Sequence, residues 1–231
     1  MVISLNKLIN FVSKKIKGYR YFQIVSFSQE GEDLILKRIF NSKNKGFYID
    51  IGAHHPFRFS NTYLFYKKYW NGINIDANPG TKKLFDKYRN RDINIELGIS
   101  DKKDQLNYYN FREKALNTFS KELADEYISE KWELLNIINI NTDTLASVLQ
   151  RILPKNTAID FMSIDIEGFE LKALKSNDWT KYRPKILLIE ILNFDVDRFK
   201  ENLICSYLKE QGYKLIAKTK NTVFFEDNIL V

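Results

Sequence analysis

Residues 46–56 read Gly46-Phe47-Tyr48-Ile49-Asp50-Ile51-Gly52-Ala53-His54-His55-Pro56, a short aromatic and β-branched run closed by an acid and a glycine. The run is too short for a helix and apolar on both faces, which predicts a strand buried on both sides. Moving outward, the same signature returns in Ile73-Asn74-Ile75-Asp76, in Ile93–Leu97 before Gly98, in Ala158–Asp165 running into Ile166-Glu167-Gly168, and in Lys185–Glu190. Helical patterns lie between: Ser28 caps one through Leu34, Ile35 and Ile39, Ser60 and Asn61 open one through Tyr69, Thr81 to Tyr88 forms another, and Thr142 caps one to Leu153. Strands alternating with helices predict an α/β fold with a mostly parallel sheet and helices on both faces. A helix from Val196 to Gln211 stops at Gly212, and strands Tyr213–Lys218 and Thr222–Glu226 around Lys220-Asn221 end the sheet in an antiparallel hairpin, making seven strands. Residues 105–140 depart from the pattern. They hold aromatics (Tyr108, Tyr109, Phe111, Phe119) and then a charged helical part from Glu122 to Leu135, and read as an insertion or lid.

The 231 residues suit one ordinary globular domain. A single cysteine and two adjacent histidines exclude an internal disulfide and disfavour a structural zinc site, and a reducing, cytoplasmic setting fits best. The net charge of +7 is concentrated at the start of the chain: Lys7, Lys14, Lys15, Lys17 and Arg20 precede the first acid, Glu30. The rest is nearly balanced, which argues against a nucleic-acid groove. Within residues 1–27, Leu5, Leu8, Ile9, Val12, Ile16 and Tyr19 recur at helical spacing and predict a basic amphipathic helix ahead of a domain over 28–231. Docking on the domain or on a subunit partner is the simpler use of that helix, and peripheral contact with an anionic membrane the sharper one. No uninterrupted apolar stretch is long enough to span a membrane, and no secretory signal is recognisable.

In open parallel sheets ligands bind outside the carboxyl ends of the strands. Four of the five parallel strands end there in an acid: Asp50, Asp76, Asp165 and Glu190. Each could cap the helix that follows, but together they favour a polar ligand site. Asp76, closing the second strand, is where a carboxylate accepts hydrogen bonds from both ribose hydroxyls of a nucleoside cofactor. Gly52 lets the backbone pass close to such a ligand, yet the loop has one glycine where a pyrophosphate fingerprint needs three, and no phosphate-binding G-x-x-x-x-G-K-[ST] occurs. A compact adenosine cofactor without a pyrophosphate fits better, and S-adenosylmethionine is the commonest of that kind.

Five blocks, Ser28-Gln29-Glu30-Gly31-Glu32-Asp33, Tyr48–His54, Ile75-Asp76-Ala77-Asn78-Pro79, Leu97–Asp101 and Ser163–Glu170, resemble in order and spacing those of the FkbM-type methyltransferases. The resemblance covers about residues 26–192. It implies a class I, Rossmann-like S-adenosylmethionine-dependent fold and O-methylation, often of sugars in polysaccharide, glycoconjugate or natural-product pathways. It also implies that Asp50, Gly52 and Ala53 surround the methionine part of the cofactor, that Asp76 holds the ribose, that Ala77 and Asn78 lie beside the adenine, and that Ile99, Ser100 and Asp101 close on its far edge. Gln29 and Asp33 would line the same pocket. His54-His55 departs from the small or amide residue commoner in the family after Gly-Ala.

Methyl transfer to a hydroxyl needs alignment and a base. Asp165 and Glu167, two apart at a strand end, can point the same way into the crevice. They could act as general base, bind acceptor hydroxyls, or hold a divalent metal, the last fitting least well. His54 is a further candidate base or acceptor ligand. Glu170 reads as a helix-start acid, and Asn117 and Thr118 as acceptor contacts. Two other readings stay open: a non-catalytic binding module on the same fold, and a nucleotide-sugar-handling enzyme.

Overall fold

The computed structural model describes residues 23–229; the basic helix expected near the start of the chain falls on residues outside these. In chain order the elements are α1 (Glu32–Ile39), β1 (Phe47–Ile51), α2 (Tyr63–Lys67), β2 (Asn71–Asp76), α3 (Thr81–Tyr88), β3 (Ile93–Glu96), β4 (Gly98–Ile99), β5 (Asp104–Phe111), α4 (Lys121–Ser129), β6 (Leu134–Asp143), α5 (Leu145–Ile152), β7 (Phe161–Ile164), α6 (Glu170–Lys175), β8 (Ile186–Glu190), α7 (Leu203–Glu210), β9 (Tyr213–Lys218) and β10 (Thr222–Asp227).

Seven strands form one sheet in the order β3-β2-β1-β7-β8-β10-β9. The first five of these run parallel, and β10 pairs antiparallel with both β8 and β9. The chain fills the sheet outward from β1 through β2 to β3, then returns to β1's other side with β7. That reversal leaves a crevice beyond the ends of β1 and β7, the switch point at which wound sheets bind ligands.

Both faces of the sheet are covered, so its strands can be apolar throughout. Ile49, Ile51, Met162, Ile164, Leu187 and Ile189 pack on one face with Leu145, Leu149, Leu174 and Leu208 from α5, α6 and α7. Tyr48, Phe161, Leu188 and Phe224 pack on the other with Leu36 of α1, Phe65 of α2 and Trp70. No helix among the described residues is long and apolar enough to cross a membrane.

Residues 105–140 differ from the expectation. They belong to a second, three-stranded sheet, β4-β6-β5, with α4 packed on it through Ala124 and Tyr127 against Phe111. The helix expected from Glu122 to Leu135 ends at Ser129, because Leu134–Asp143 alternates Ile with Asn and pairs with β5 along its length. Several helix starts also shift. Thr142 lies in β6, and Thr144 is the residue whose side chain accepts Ser147 N–H. Asn202 accepts from Ile204 and Cys205 N–H, so α7 begins at Leu203 rather than near Val196. Gly31, at φ 89°, rather than Ser28, precedes α1, and α2 starts at Tyr63.

Candidate active site

The crevice at the switch point is a cleft of about 320 Å³ whose wall includes Gln29, Gly52, His54, Asp76, Ala77, Asn78, Asp165 and Glu167 from among the residues singled out in the sequence. It begins at Gly52. This residue sits at φ 80°, and a Cβ there would lie 1.6 Å from the Asp165 carbonyl oxygen. The turns after β1 and β7 thus touch backbone to backbone. Gly52 and Ala53 N–H both donate to Ile75 O, at 2.9 and 3.2 Å, and Asp165 N–H to Ile51 O at 2.9 Å, which locks three strand ends together.

Asp76 closes β2 and is itself held in place. His54 N–H donates to its Oδ2 at 2.6 Å and Asn78 N–H to its Oδ1 at 2.7 Å. The Asn78 side chain also bonds to Asp76, and since a carboxylate has about four acceptor positions, acceptor capacity is left for a ligand hydroxyl. Asn78 is bonded by the side-chain amide of Asn117 from the second sheet, and Tyr108 of β5 closes the same side.

Across the cleft, Glu167 and Gly168 take left-handed backbone conformations (φ 50° and 93°), with the Glu167 carbonyl accepting the Thr118 hydroxyl at 2.6 Å. The turn aims the Glu167 carboxylate at Tyr127 of α4, whose hydroxyl donates to it at 2.5 Å. Glu190, at the end of β8, also lines the cleft and shares a hydrogen bond with Asp165. Glu170 turns back and accepts Ile166 and Gly168 N–H at 2.9–3.2 Å, fixing the turn and opening α6. Carboxylate oxygens of Asp165, Glu170 and Glu190 lie within 4.8 Å of one another. All-oxygen sets suit hard divalent cations, but both oxygens of Glu170 are already engaged by backbone amides, and the remaining pair is bonded to itself.

None of these acids has a lysine or arginine salt-bridge partner among the described residues. Burial, reinforced by the neighbouring Asp165 charge, pushes the Glu167 carboxyl up to about 8, and burial raises Glu170 to about 7. Burial likewise raises Asp165 and Glu190, which are hydrogen-bonded to each other, the nearby Asp165 charge pushing Glu190 further up. His54 moves the other way: burial, then the Arg58 guanidinium, lower its imidazole to about 4, so it is neutral at pH 7 and a weak base.

The raised carboxyls make the free protein sensitive to alkali. Below about pH 4 they are protonated in both the folded and the unfolded chain. Between their unfolded values near 4 and their folded values of about 6 to about 8, the folded state binds more protons than the unfolded one. Stability then falls as pH rises. The melting temperature of the ligand-free protein is expected to drop between about pH 5 and about pH 8, and Glu190→Gln to flatten that slope. A slope of the opposite sign in wild type would show that the cluster is ionised and paired.

Other singled-out residues sit off the wall. Asp50 is buried beneath the cleft, accepting the Thr62 hydroxyl at 2.8 Å; burial raises it to about 6. Ala53 packs behind Asp76. Ile99 is in the core, Ser100 is buried with its N–H on Asp143 O, and Asp101 is exposed; none of the three lines the cleft. Thr118 is fully buried under the Glu167 turn. Asp33 is also buried, and it accepts the Phe27 N–H and the Ser26 and Ser28 hydroxyls, shaping the segment that presents Gln29. Tyr127, Leu192, Asn221, Arg58 and Glu113 line the cleft without having been foreseen, Arg58 pairing with Glu113 at 3.2 Å across its mouth. None of these five was marked by its place in the sequence, whereas Glu190, also in the wall, was expected there as a strand-end acid.

No curated protein matches the chain. Among solved structures it is similar to phosphoethanolamine N-methyltransferase 1 of Haemonchus contortus, determined with phosphoethanolamine and S-adenosylhomocysteine, at 9% identity and a TM-score of 0.35. That match takes in 97% of this chain but 46% of that one, so the chain spans less than half the length of the neighbour. The family model described as the methyltransferase FkbM domain matches residues 50–215, from the acid of β1 through β9, and the chain belongs to the FkbM methyltransferase family.

Proposed function

We propose that the protein transfers a methyl group from S-adenosylmethionine to a hydroxyl of a saccharide acceptor. The observation that carries this reading is the row of cleft acids with no salt-bridge partner among the described residues: Asp76 on one side of Gly52, and Asp165, Glu167 and Glu190 on the other. Such a cleft favours a ligand that brings hydroxyl donors and a positive charge. The residues fit the cofactor: Asp76 keeps acceptor capacity for a ribose hydroxyl, Ala77 and Asn78 flank it, and the space a Gly52 side chain would fill is kept open for backbone contact. When bound, the cofactor supplies an electrophilic methyl on a sulfonium.

The chain's own work is alignment and proton removal. Asp165, at the switch point beside Gly52, is the carboxylate that accepts the hydroxyl proton, while Glu190 keeps its own proton, stays neutral and donates a hydrogen bond to Asp165. Tyr127 fixes the Glu167 carboxylate so that it can accept a second acceptor hydroxyl.

Calorimetry with S-adenosylhomocysteine tests the cofactor half: wild type binds, and Asp76→Ala loses about a hundredfold in affinity through the unmade ribose bonds and the freed His54 turn. Binding unchanged in Asp76→Ala would overturn the assignment. For the chemical half, Asp165→Asn is expected to keep cofactor affinity and lose about a hundredfold or more of turnover in a labelled-methyl assay on glycan fractions. Equal turnover would remove Asp165 from proton transfer.

A further inference from the structure

The cleft is longer than a cofactor anchored on Asp76 requires. In sheet order its wall runs from β2 through β1 and β7 to β8 and the β10 hairpin, four strand spacings, or roughly 19 Å. From its ribose hydroxyls past the sulfonium to the end of its amino-acid arm the cofactor reaches roughly 10 Å, about two strand spacings, so the β8 and hairpin end faces something else. At that end stand Gln29, from the segment before α1, and Asn221, from the β9–β10 turn, with Leu192 beyond β8. Among the described residues neither side-chain amide makes a hydrogen bond, while the backbone is held at Asn221 and, next to the exposed Gln29, at Glu30. Asn221 N–H donates to Glu30 Oε2 at 2.9 Å, and its carbonyl accepts Ile191 N–H at 2.8 Å. The neighbouring Glu32 is buried and accepts the hydroxyls of Thr219 and Thr222, each at 3.3 Å, and its other oxygen takes Glu30 N–H at 2.8 Å.

Two unengaged amides on a pinned frame, a donor and an acceptor each, match the paired hydroxyls of a sugar ring, and the half-exposed Leu192 offers an apolar surface for its C–H face. Among the described residues the cations on the cleft wall are Arg58 and Lys114, neither on the segments that carry Gln29 and Asn221, whereas Glu190 and Glu167 also line it. We infer that Gln29 and Asn221 form the acceptor subsite, that Glu30 and Glu32 position it by clasping the hairpin, and that it takes an uncharged saccharide in preference to a uronic acid or a sugar phosphate. Gln29 is thereby moved from the cofactor pocket, where the family resemblance put it, to the acceptor end. The inference rests on the methyltransferase reading above.

The test uses the full chain with S-adenosylhomocysteine, and then labelled S-adenosylmethionine with a panel of methyl glycosides of gluco, galacto, manno and rhamno configuration beside glucuronate and glucose 6-phosphate. Gln29→Ala, Asn221→Ala and Glu30→Ala should bind S-adenosylhomocysteine as wild type does. Each should raise the acceptor KM about tenfold with kcat nearly unchanged, the loss of one or two hydrogen bonds. Glu30→Gln, which keeps an acceptor for Asn221 N–H, should restore the wild-type KM, a rescue that general destabilisation would not give. The inference is overturned if Gln29→Ala or Asn221→Ala weakens S-adenosylhomocysteine as Asp76→Ala does, if the acceptor KM is unmoved, if the charged sugars are preferred, or if no neutral glycoside is methylated while the cofactor binds. Failure of wild type to bind S-adenosylhomocysteine would instead remove the methyltransferase reading itself.

Discussion

Gly52→Ala is expected to abolish cofactor binding, lowering S-adenosylhomocysteine affinity by about a hundredfold or more. Two effects add. The residue sits at φ 80°, where a side chain is strained, and its Cβ would meet the Asp165 carbonyl carbon at 2.7 Å and the oxygen closer still. Neither atom belongs to a flexible side chain, so the turns after β1 and β7 must separate, carrying Asp165 away from Asp76. Gly31→Ala supplies the control: Gly31 has φ 89° but open space around it, so the cost there is the backbone strain alone, about 1–2 kcal/mol. If both variants lose the same stability and both bind the ligand, the close approach at Gly52 does not shape the site.

The largest loss of stability is expected from Arg89. Its guanidinium is fully buried and reaches Asp92 Oδ2 at 2.9 Å, the Pro56 carbonyl at 2.9 Å, the Tyr48 hydroxyl at 2.8 Å and the Thr62 hydroxyl at 3.1 Å. Asp92 also accepts Gly72 N–H and the Asn74 amide, tying the start of β2 to the same centre. Arg89→Met would leave the Asp92 carboxylate buried without its cation, at a cost of about 3–5 kcal/mol, a large share of the stability of an ordinary domain. Urea denaturation measures it. Adding Asp92→Asn to Arg89→Met should recover part of the loss, because the stranded charge is then gone. A loss under about 1 kcal/mol for the single variant would mean that water replaces the guanidinium. Cofactor affinity should fall as well, since Thr62 links Arg89 to Asp50 beneath the cleft.

The strands of the main sheet were legible because burial on both faces demands apolar runs, and because acids such as Asp76 and Glu190 mark where those runs leave the core. The second sheet was not. Only the end of β6 is well buried, so Leu134–Asp143 lacks a core strand's continuous apolar run, and the charged helix α4 before it masked its start. Arg89 was invisible for a different reason. In Tyr88-Arg89-Asn90-Arg91-Asp92 it reads as one more surface charge, and only the folding of Tyr48, Pro56 and Thr62 around it makes it a buried hub. Of the site, the strand-end acids and Gly52 could be read from their place after apolar runs. Tyr127 and Asn221 could not, since each reaches the cleft from an element far away in sequence.

The clasp between the segment before α1 and the final hairpin joins residues 187 to 191 positions apart. A chain still emerging from the ribosome cannot close it until the last two strands are out, because β10 must be in place before Glu30 finds Asn221. Assembly of the proposed acceptor end therefore waits for the hairpin, and a polypeptide cut short before Tyr213 would hold most of the sheet yet lack both Asn221 and the clasp.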